Sequence, residues 1–228
     1  MKRLDIIYED NHLIMVNKPS GVLVQGDSTG DEPLVEMVKK YIKDKYKKPG
    51  AVFLAPVHRI DRPVSGLVVF ARTSKAAERM AKIFQDRKVK KTYWALVSNR
   101  PPEDEAKLIN WLKKDPEKNR THCYDSDRRG GKRAELDYKF LGKVGSHYLL
   151  EINPLTGRSH QIRAQLAKIG CTIKGDAKYG EKVRNKDGSI NLHSRGIEFE
   201  HPVKKELLKV KAKLPKNDII WQNFAHLG

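Results

Sequence analysis

The chain has only two cysteines among its 228 residues, Cys123 and Cys171. They are too few and too isolated for a disulfide framework or a zinc site, so no metal is expected. Long apolar runs are also missing, and none is long enough to span a bilayer. The opening Met1-Lys2-Arg3-Leu4-Asp5 lacks a signal-peptide pattern. No internal repeat or low-complexity linker is visible. Acidic residues are scarce beside basic ones, 28 against 46. Together these absences exclude a membrane span, a disulfide-stapled secreted fold and a metal cage, and they lead us to expect a cytoplasmic protein.

The basic excess gives a formal charge of +18 and a sequence pI of about 9.8. Such an excess repels itself and usually has an anionic partner, most often nucleic acid. A hydrophobic content of 39% is enough to bury a full core as one large domain or two small ones.

Turn and strand signals at the start predict a hairpin of Asp5 to Tyr8 and Leu13 to Val16, then a turn over Asn17-Lys18-Pro19-Ser20-Gly21. Glu32 to about Tyr46 reads as a helix with Pro33 in its first turn, its inner face formed by Leu34, Val38, Tyr41 and Ile42. The other face carries Lys39, Lys40, Lys43 and Lys45. Leu67 to Ala71 reads as a buried strand, followed by a helix capped at Thr73 or Ser74 and ending near Gln85. Strand alternation recurs over Lys91 to Val97, Ala134 to Phe140 and Tyr148 to Ile152, with Gly142 to Ser146 as the loop between the last two. Lys113 to Arg133 is polar and basic, an expected exposed excursion. A final helix carries Ile162, Leu166 and Ile169 on one side and stops at Gly170. The pattern predicts an α/β (α+β) chain, one domain over residues 1–228, with a mixed, mainly antiparallel sheet flanked by helices and loops.

Three stretches carry candidate chemistry. In Val57-His58-Arg59-Ile60-Asp61-Arg62-Pro63-Val64-Ser65-Gly66-Leu67, the carboxylate of Asp61 sits between Arg59 and Arg62. Opposite charge nearby favours an ionised carboxylate, which suits a nucleophile or a fixed negative charge. The arginines also suit phosphates. Read alone, the segment is more often a turn with surface ion pairs. In Gly157-Arg158-Ser159-His160-Gln161-Ile162-Arg163, a glycine turn opens a helix and offers N–H groups to an anion. Spacing puts His160 and Arg163 on one helix face. In Lys91-Thr92-Tyr93-Trp94-Ala95-Leu96-Val97, period two sends Tyr93, Ala95 and Val97 to one side, where Tyr93 is either a core aromatic or a base-stacking platform.

These residues resemble the RluA family of pseudouridine synthases. The family's H-R-L-D-x-x-T-S-G-L is similar to His58 to Leu67, with Lys75 at the next helix start. Its K-x-Y-x-A-x-V resembles Lys91 to Val97, and its G-R-x-H-Q-I-R resembles Gly157 to Arg163. Then follow Gly175-Asp176-Ala177-Lys178-Tyr179-Gly180 and Leu192-His193-Ser194, while Lys18, Pro19 and Gly21 match an early K-P-x-G. The matches keep their order along nearly the whole chain. Val64 departs from the family's Thr, and Cys171-Thr172-Ile173 from a small-Pro-Ile run.

The resemblance implies isomerisation of uridine in structured RNA, ribosomal or transfer RNA, without cofactor or metal. It implies that Asp61 is the essential aspartate, Tyr93 the stacking tyrosine that takes a proton from carbon 5, and Arg163 the partner that holds the aspartate ionised. It further implies that Ile162 packs beside the base and that Arg59 fills the space left by a flipped nucleotide. From their charge and placement, Lys91, Arg158 and His160 are expected to contact RNA, and Arg62 to be structural or a phosphate contact. A monomer is expected. The chain opens on the catalytic region's first hairpin, so an additional N-terminal RNA-binding domain is not expected. Two alternatives stay open at this point: a non-catalytic RNA-binding protein, and a metal-dependent nuclease using His58, Asp61 and His160.

Overall fold

A computed structural model describes residues 4–216 and 218–227. Met1 to Arg3, where the leader pattern was sought, lie outside the described residues. Two compact units divide the chain: residues up to Val89 with Ser194–Pro215, and Lys90–His193 with the segment from Lys216.

The first unit begins with the expected hairpin, β1 (Asp5–Glu9) and β2 (Leu13–Lys18). The Asp10 carboxylate closes its turn by accepting from the His12 and Leu13 N–H groups at 2.8 Å each. Helix α1 (Leu34–Lys45) starts two residues later than the sequence suggests, with Pro33 at the cap. Leu34, Val38 and Ile42 are buried, and Lys40, Lys43 and Lys45 are exposed. After the two-residue β3 (Ala55–Pro56) comes β4 (Ser65–Ala71), buried throughout.

Strand β4 pairs antiparallel with β2, Lys18 opposite Gly66 and Leu13 opposite Ala71, while β3 covers its last two residues. Helix α2 (Ser74–Gln85) is capped by Thr73, whose hydroxyl accepts from the Ala76 N–H at 3.1 Å. Its Ala76 and Met80 enter a core with Leu13, Met15, Leu67, Val69, Ile197 and Phe199.

The second unit is a meander of β5 (Lys90–Val97), β6 (Glu105–Asp115), β7 (Arg120–Tyr124), β8 (Lys132–Val144) and β9 (His147–Pro154). Their spatial order is β5-β9-β8-β6-β7, with every neighbouring pair antiparallel. Three expectations change here. Stretch 113–133 is mostly exposed, as expected, but it is strand: it holds the end of β6, all of β7 and the start of β8. The Gly142 to Ser146 loop shrinks to a turn at Gly145-Ser146, and Gly142 lies inside β8 at a register shift. In β5, Tyr93 to Val97 are all buried, so both faces are covered and period two is invisible in burial.

Helix α3 (Gln161–Lys168) follows, and its residues from Gln161 to Leu166 are all buried. The chain returns to the first unit through β10 (Leu192–Glu200) and β11 (Leu207–Lys211), an antiparallel pair. A short helix α4 (Ile219–Gln222) closes the second unit.

Candidate functional site

The sequence-selected residues fall in both units. Arg59, Asp61 and Arg62 belong to the first; Lys91, Tyr93, Arg158, His160, Ile162 and Arg163 belong to the second.

The loop bearing Asp61 is fastened on either side of that residue. The Val57 N–H donates to the Val69 carbonyl at 3.0 Å, and the Val64 N–H to the Asp61 carbonyl at 3.0 Å. The Gly21 N–H reaches the Arg62 carbonyl at 2.8 Å. His58 Nε2 accepts from the Val69 N–H at 3.2 Å, and its ring stacks on Phe84 at 5.7 Å. That nitrogen anchors the loop to β4, which weakens the metal-ligand reading of His58.

Lys18 lies beneath the loop with 0% exposure. Its Nζ donates to the carbonyls of Pro19 at 3.0 Å, Val22 at 2.7 Å and Arg62 at 3.1 Å. Three acceptors match the three hydrogens of an ammonium. Burial nonetheless pulls its pKa down to about 7, opposed by the charge of Asp61 and reinforced by that of Arg62. The early K-P-x-G match contained Lys18, but nothing in its spacing indicated burial beneath the Asp61 loop.

Arg62 donates from Nε to the Gly21 carbonyl at 3.0 Å and from Nη2 to Asp31 at 2.6 Å. It therefore braces two loops while remaining partly exposed. Arg59 is exposed, and the buried Val64 fills the position where the resemblance leads one to look for a threonine.

Gly66 explains one motif glycine. Its φ is +112°, and a Cβ there would lie 2.4 Å from the Ser194 carbonyl oxygen and 2.5 Å from the Ser194 nitrogen. Two motifs distant in sequence thus meet backbone to backbone, which only glycine permits.

In the second unit the turn before α3 is held by side chains. Gln161 accepts from the Thr156 hydroxyl at 2.7 Å and from the Arg158 N–H at 3.0 Å, and donates to the Glu135 carbonyl at 2.9 Å. The Glu135 N–H donates to the Thr156 hydroxyl at 2.9 Å, tying the turn to β8. Arg158 itself is exposed and donates through Nε to the Arg133 carbonyl at 3.2 Å.

His160 corrects the helix-face expectation. It adopts φ 50° and ψ 25°, left-handed, and precedes the helix as its cap. A non-helical backbone turns its side chain out of the i, i+3 relation with Arg163. The two residues are instead linked through Tyr179. His160 Nδ1 lies 3.0 Å from the Tyr179 hydroxyl, and the Arg163 guanidinium stands over the Tyr179 ring at 5.0 Å.

Arg163 is 5% exposed and Asp176 1%. They form a two-bond pair, Nε to Oδ2 at 2.7 Å and Nη2 to Oδ1 at 2.8 Å. A planar guanidinium held this way has little rotational freedom. The Tyr179 hydroxyl also accepts from the Thr121 N–H at 2.8 Å, and burial raises its pKa. The Gly175 to Gly180 match contained Asp176 and Tyr179, yet sequence reasoning gave them no role. Their sequence distance from α3 hid the pairing. Ile162 and Tyr93 are both buried, Tyr93 opposite Ile152 in the β5–β9 pairing.

Solved structures share this architecture. The human RNA pseudouridylate synthase domain-containing protein 4 superposes with a TM-score of 0.80 over 97% of this chain and 93% of its own, at 22% identity. The domain-containing protein 1 gives 0.71 over 96% and 88%, also at 22%. The fold is therefore that of the pseudouridylate synthases. Sequence relatives narrow the class. A Buchnera aphidicola (subsp. Acyrthosiphon pisum) protein named ribosomal large subunit pseudouridine synthase C is 35% identical over 226 residues, covering 96% of this chain and 69% of its own. A Vibrio parahaemolyticus protein named tRNA pseudouridine synthase C is 33% identical, covering 96% and 92%. Residues 12–168 match the sequence pattern of the RNA pseudouridylate synthase family. The chain belongs to that family, whose members are isomerases acting on RNA.

Proposed function

We propose that the protein converts uridine to pseudouridine in structured RNA, ribosomal or transfer RNA, with Asp61 as the reacting carboxylate. The carrying observation is the fastening of the Asp61 loop by Lys18, His58 and the Gly21 N–H, since a reacting group must be fixed before the substrate arrives. The bond between uracil N1 and ribose C1′ breaks, the uracil turns within the site, and C5 bonds to C1′. C5 gives up a proton and N1 gains one, so the product is an isomer and no redox partner enters. Asp61 either attacks the sugar or removes a ribose proton to form a glycal.

Tyr93 stacks on the uracil and accepts the C5 proton in this reading, with Ile162 beside the base. Arg163 holds the aspartate ionised, a role resting on the motif match and supported by the rigid way Asp176 grips its guanidinium. Arg59 occupies the space of the extruded base, offsetting a few kcal/mol of unstacking. Lys91, Arg62, Arg158 and His160 contact the RNA. We read residues 1–228 as one catalytic domain acting as a monomer in the cytoplasm.

The test is a chemical map of pseudouridine across total RNA from cells with and without the gene. At least one site should disappear without it and return when the gene is restored. An unchanged map would contradict the proposal and favour a non-catalytic RNA-binding role.

A further inference from the structure

Among the described residues Lys18 is fully buried and Lys91 half-buried, and they differ in one respect. Lys18 gives all three of its hydrogens to carbonyl oxygens. Lys91 is half-buried, its burial pulls its pKa down, and among the described residues its ammonium has no hydrogen bond or ion pair. An ammonium withdrawn from water without a partner is costly and persists where a ligand completes it.

Its surroundings indicate which ligand. The Lys91 Nζ is the nearest heavy atom to a Cβ placed on Gly157, at 3.9 Å, so it stands beside the space a side chain there would fill. Strand alternation puts Lys91 on the same side of β5 as Tyr93, about 7 Å along the strand. The other side carries Thr92 and Trp94, which bond to Asn153 and Glu151 on β9. A base lying against Tyr93 has a backbone phosphate on that same length scale. A compact ammonium is suited to a phosphate as a point charge.

We propose that Lys91 and the Gly157 turn form a phosphate subsite for the RNA backbone next to the target uridine. This rests on the reading of Tyr93 as the uracil platform.

The experiment uses a synthetic RNA spanning a uridine that the wild-type protein modifies. Two further versions replace the phosphate on its 5′ or 3′ side by a neutral methylphosphonate. Dissociation constants are measured for wild type, Lys91→Met and Lys91→Gln, the second variant guarding against a folding defect in the first. Both variants should melt at or above the wild-type temperature and bind the all-phosphate RNA about tenfold more weakly. One methylphosphonate should weaken wild type by the same factor and leave the variants unaffected. Equal losses for wild type and variants with both methylphosphonates, or no loss on substitution, would overturn the subsite. Should the wild-type protein modify no uridine, the functional proposal is what fails. The subsite is then read from the salt dependence of oligouridylate binding, whose slope should fall by about one in the variants. An unchanged slope would overturn it.

Discussion

Asp176→Asn isolates the grip on Arg163. In the folded protein Asp176 offers one oxygen to Nε at 2.7 Å and the other to Nη2 at 2.8 Å, with both residues almost fully buried. Asparagine keeps the size but can turn only one oxygen toward the guanidinium. Its amide then opposes a second N–H, donor against donor. One charge-assisted bond, worth roughly 1.5–3 kcal/mol, is lost and the other becomes a weaker neutral-acceptor bond. Complete removal of a buried partner costs about 3–5 kcal/mol, so about 3 kcal/mol is expected here. For a chain of this length that lowers the melting temperature by roughly 6–12 °C, readable by circular dichroism. On the role proposed for Arg163, turnover should fall more than apparent RNA affinity. Arg163→Lys also loses the two-bond geometry, so the double variant should show a coupling of about 1–3 kcal/mol. A melting temperature within about 2 °C of wild type, with additive effects in the double variant, would refute this account of Asp176.

Gly66→Ala should cost more than about 4 kcal/mol and leave little soluble protein, since its Cβ would meet the Ser194 backbone at 2.4 Å in a φ of +112°; a variant melting within a few degrees of wild type would count against the close approach. Lys18 has a folded pKa of about 7 against 10.5 for a free lysine. Between those values the unfolded chain binds a proton that the folded chain does not, so stability should rise with pH across that window. The rise is at most about 5 kcal/mol and is lessened because the three carbonyls favour the ammonium; denaturant titrations should show it flattened in Lys18→Met. Thr73→Ala removes the α2 cap and should cost about 1 kcal/mol, a melting shift of roughly 2–4 °C; no shift would mean that the cap bond contributes nothing net.

Much of the frame was legible in the residues themselves. The first hairpin, β4, α2 and α3 follow from runs of apolar residues bounded by Asp10, Thr73 and Gly170, whose backbone preferences set the ends. Strands β6 and β7 escaped because they lie toward one edge of their sheet. Much of β6 is exposed, and charged residues interrupt the alternation that would have marked it. In β10 polar residues such as His193 and Ser194 are buried, so its apolar pattern does not stand out. For the site, the motif letters selected Asp61, Tyr93 and Arg163. They did not reveal Lys18 under the Asp61 loop, or Asp176 and Tyr179 around Arg163. Those contacts join distant segments, and no local spacing encodes them. His160 went wrong because a helical period was assumed for a residue that ends in the left-handed region.

The most direct measurement concerns Asp61. Purified wild-type protein and Asp61→Asn are incubated with an RNA from which pseudouridine disappears when the gene is absent, and the product is mapped chemically. The carboxamide preserves shape but removes the reacting charge, so the variant should bind the RNA with near wild-type affinity and form no pseudouridine. Pseudouridine formed by Asp61→Asn at a wild-type rate would contradict the central claim that this carboxylate performs the isomerisation.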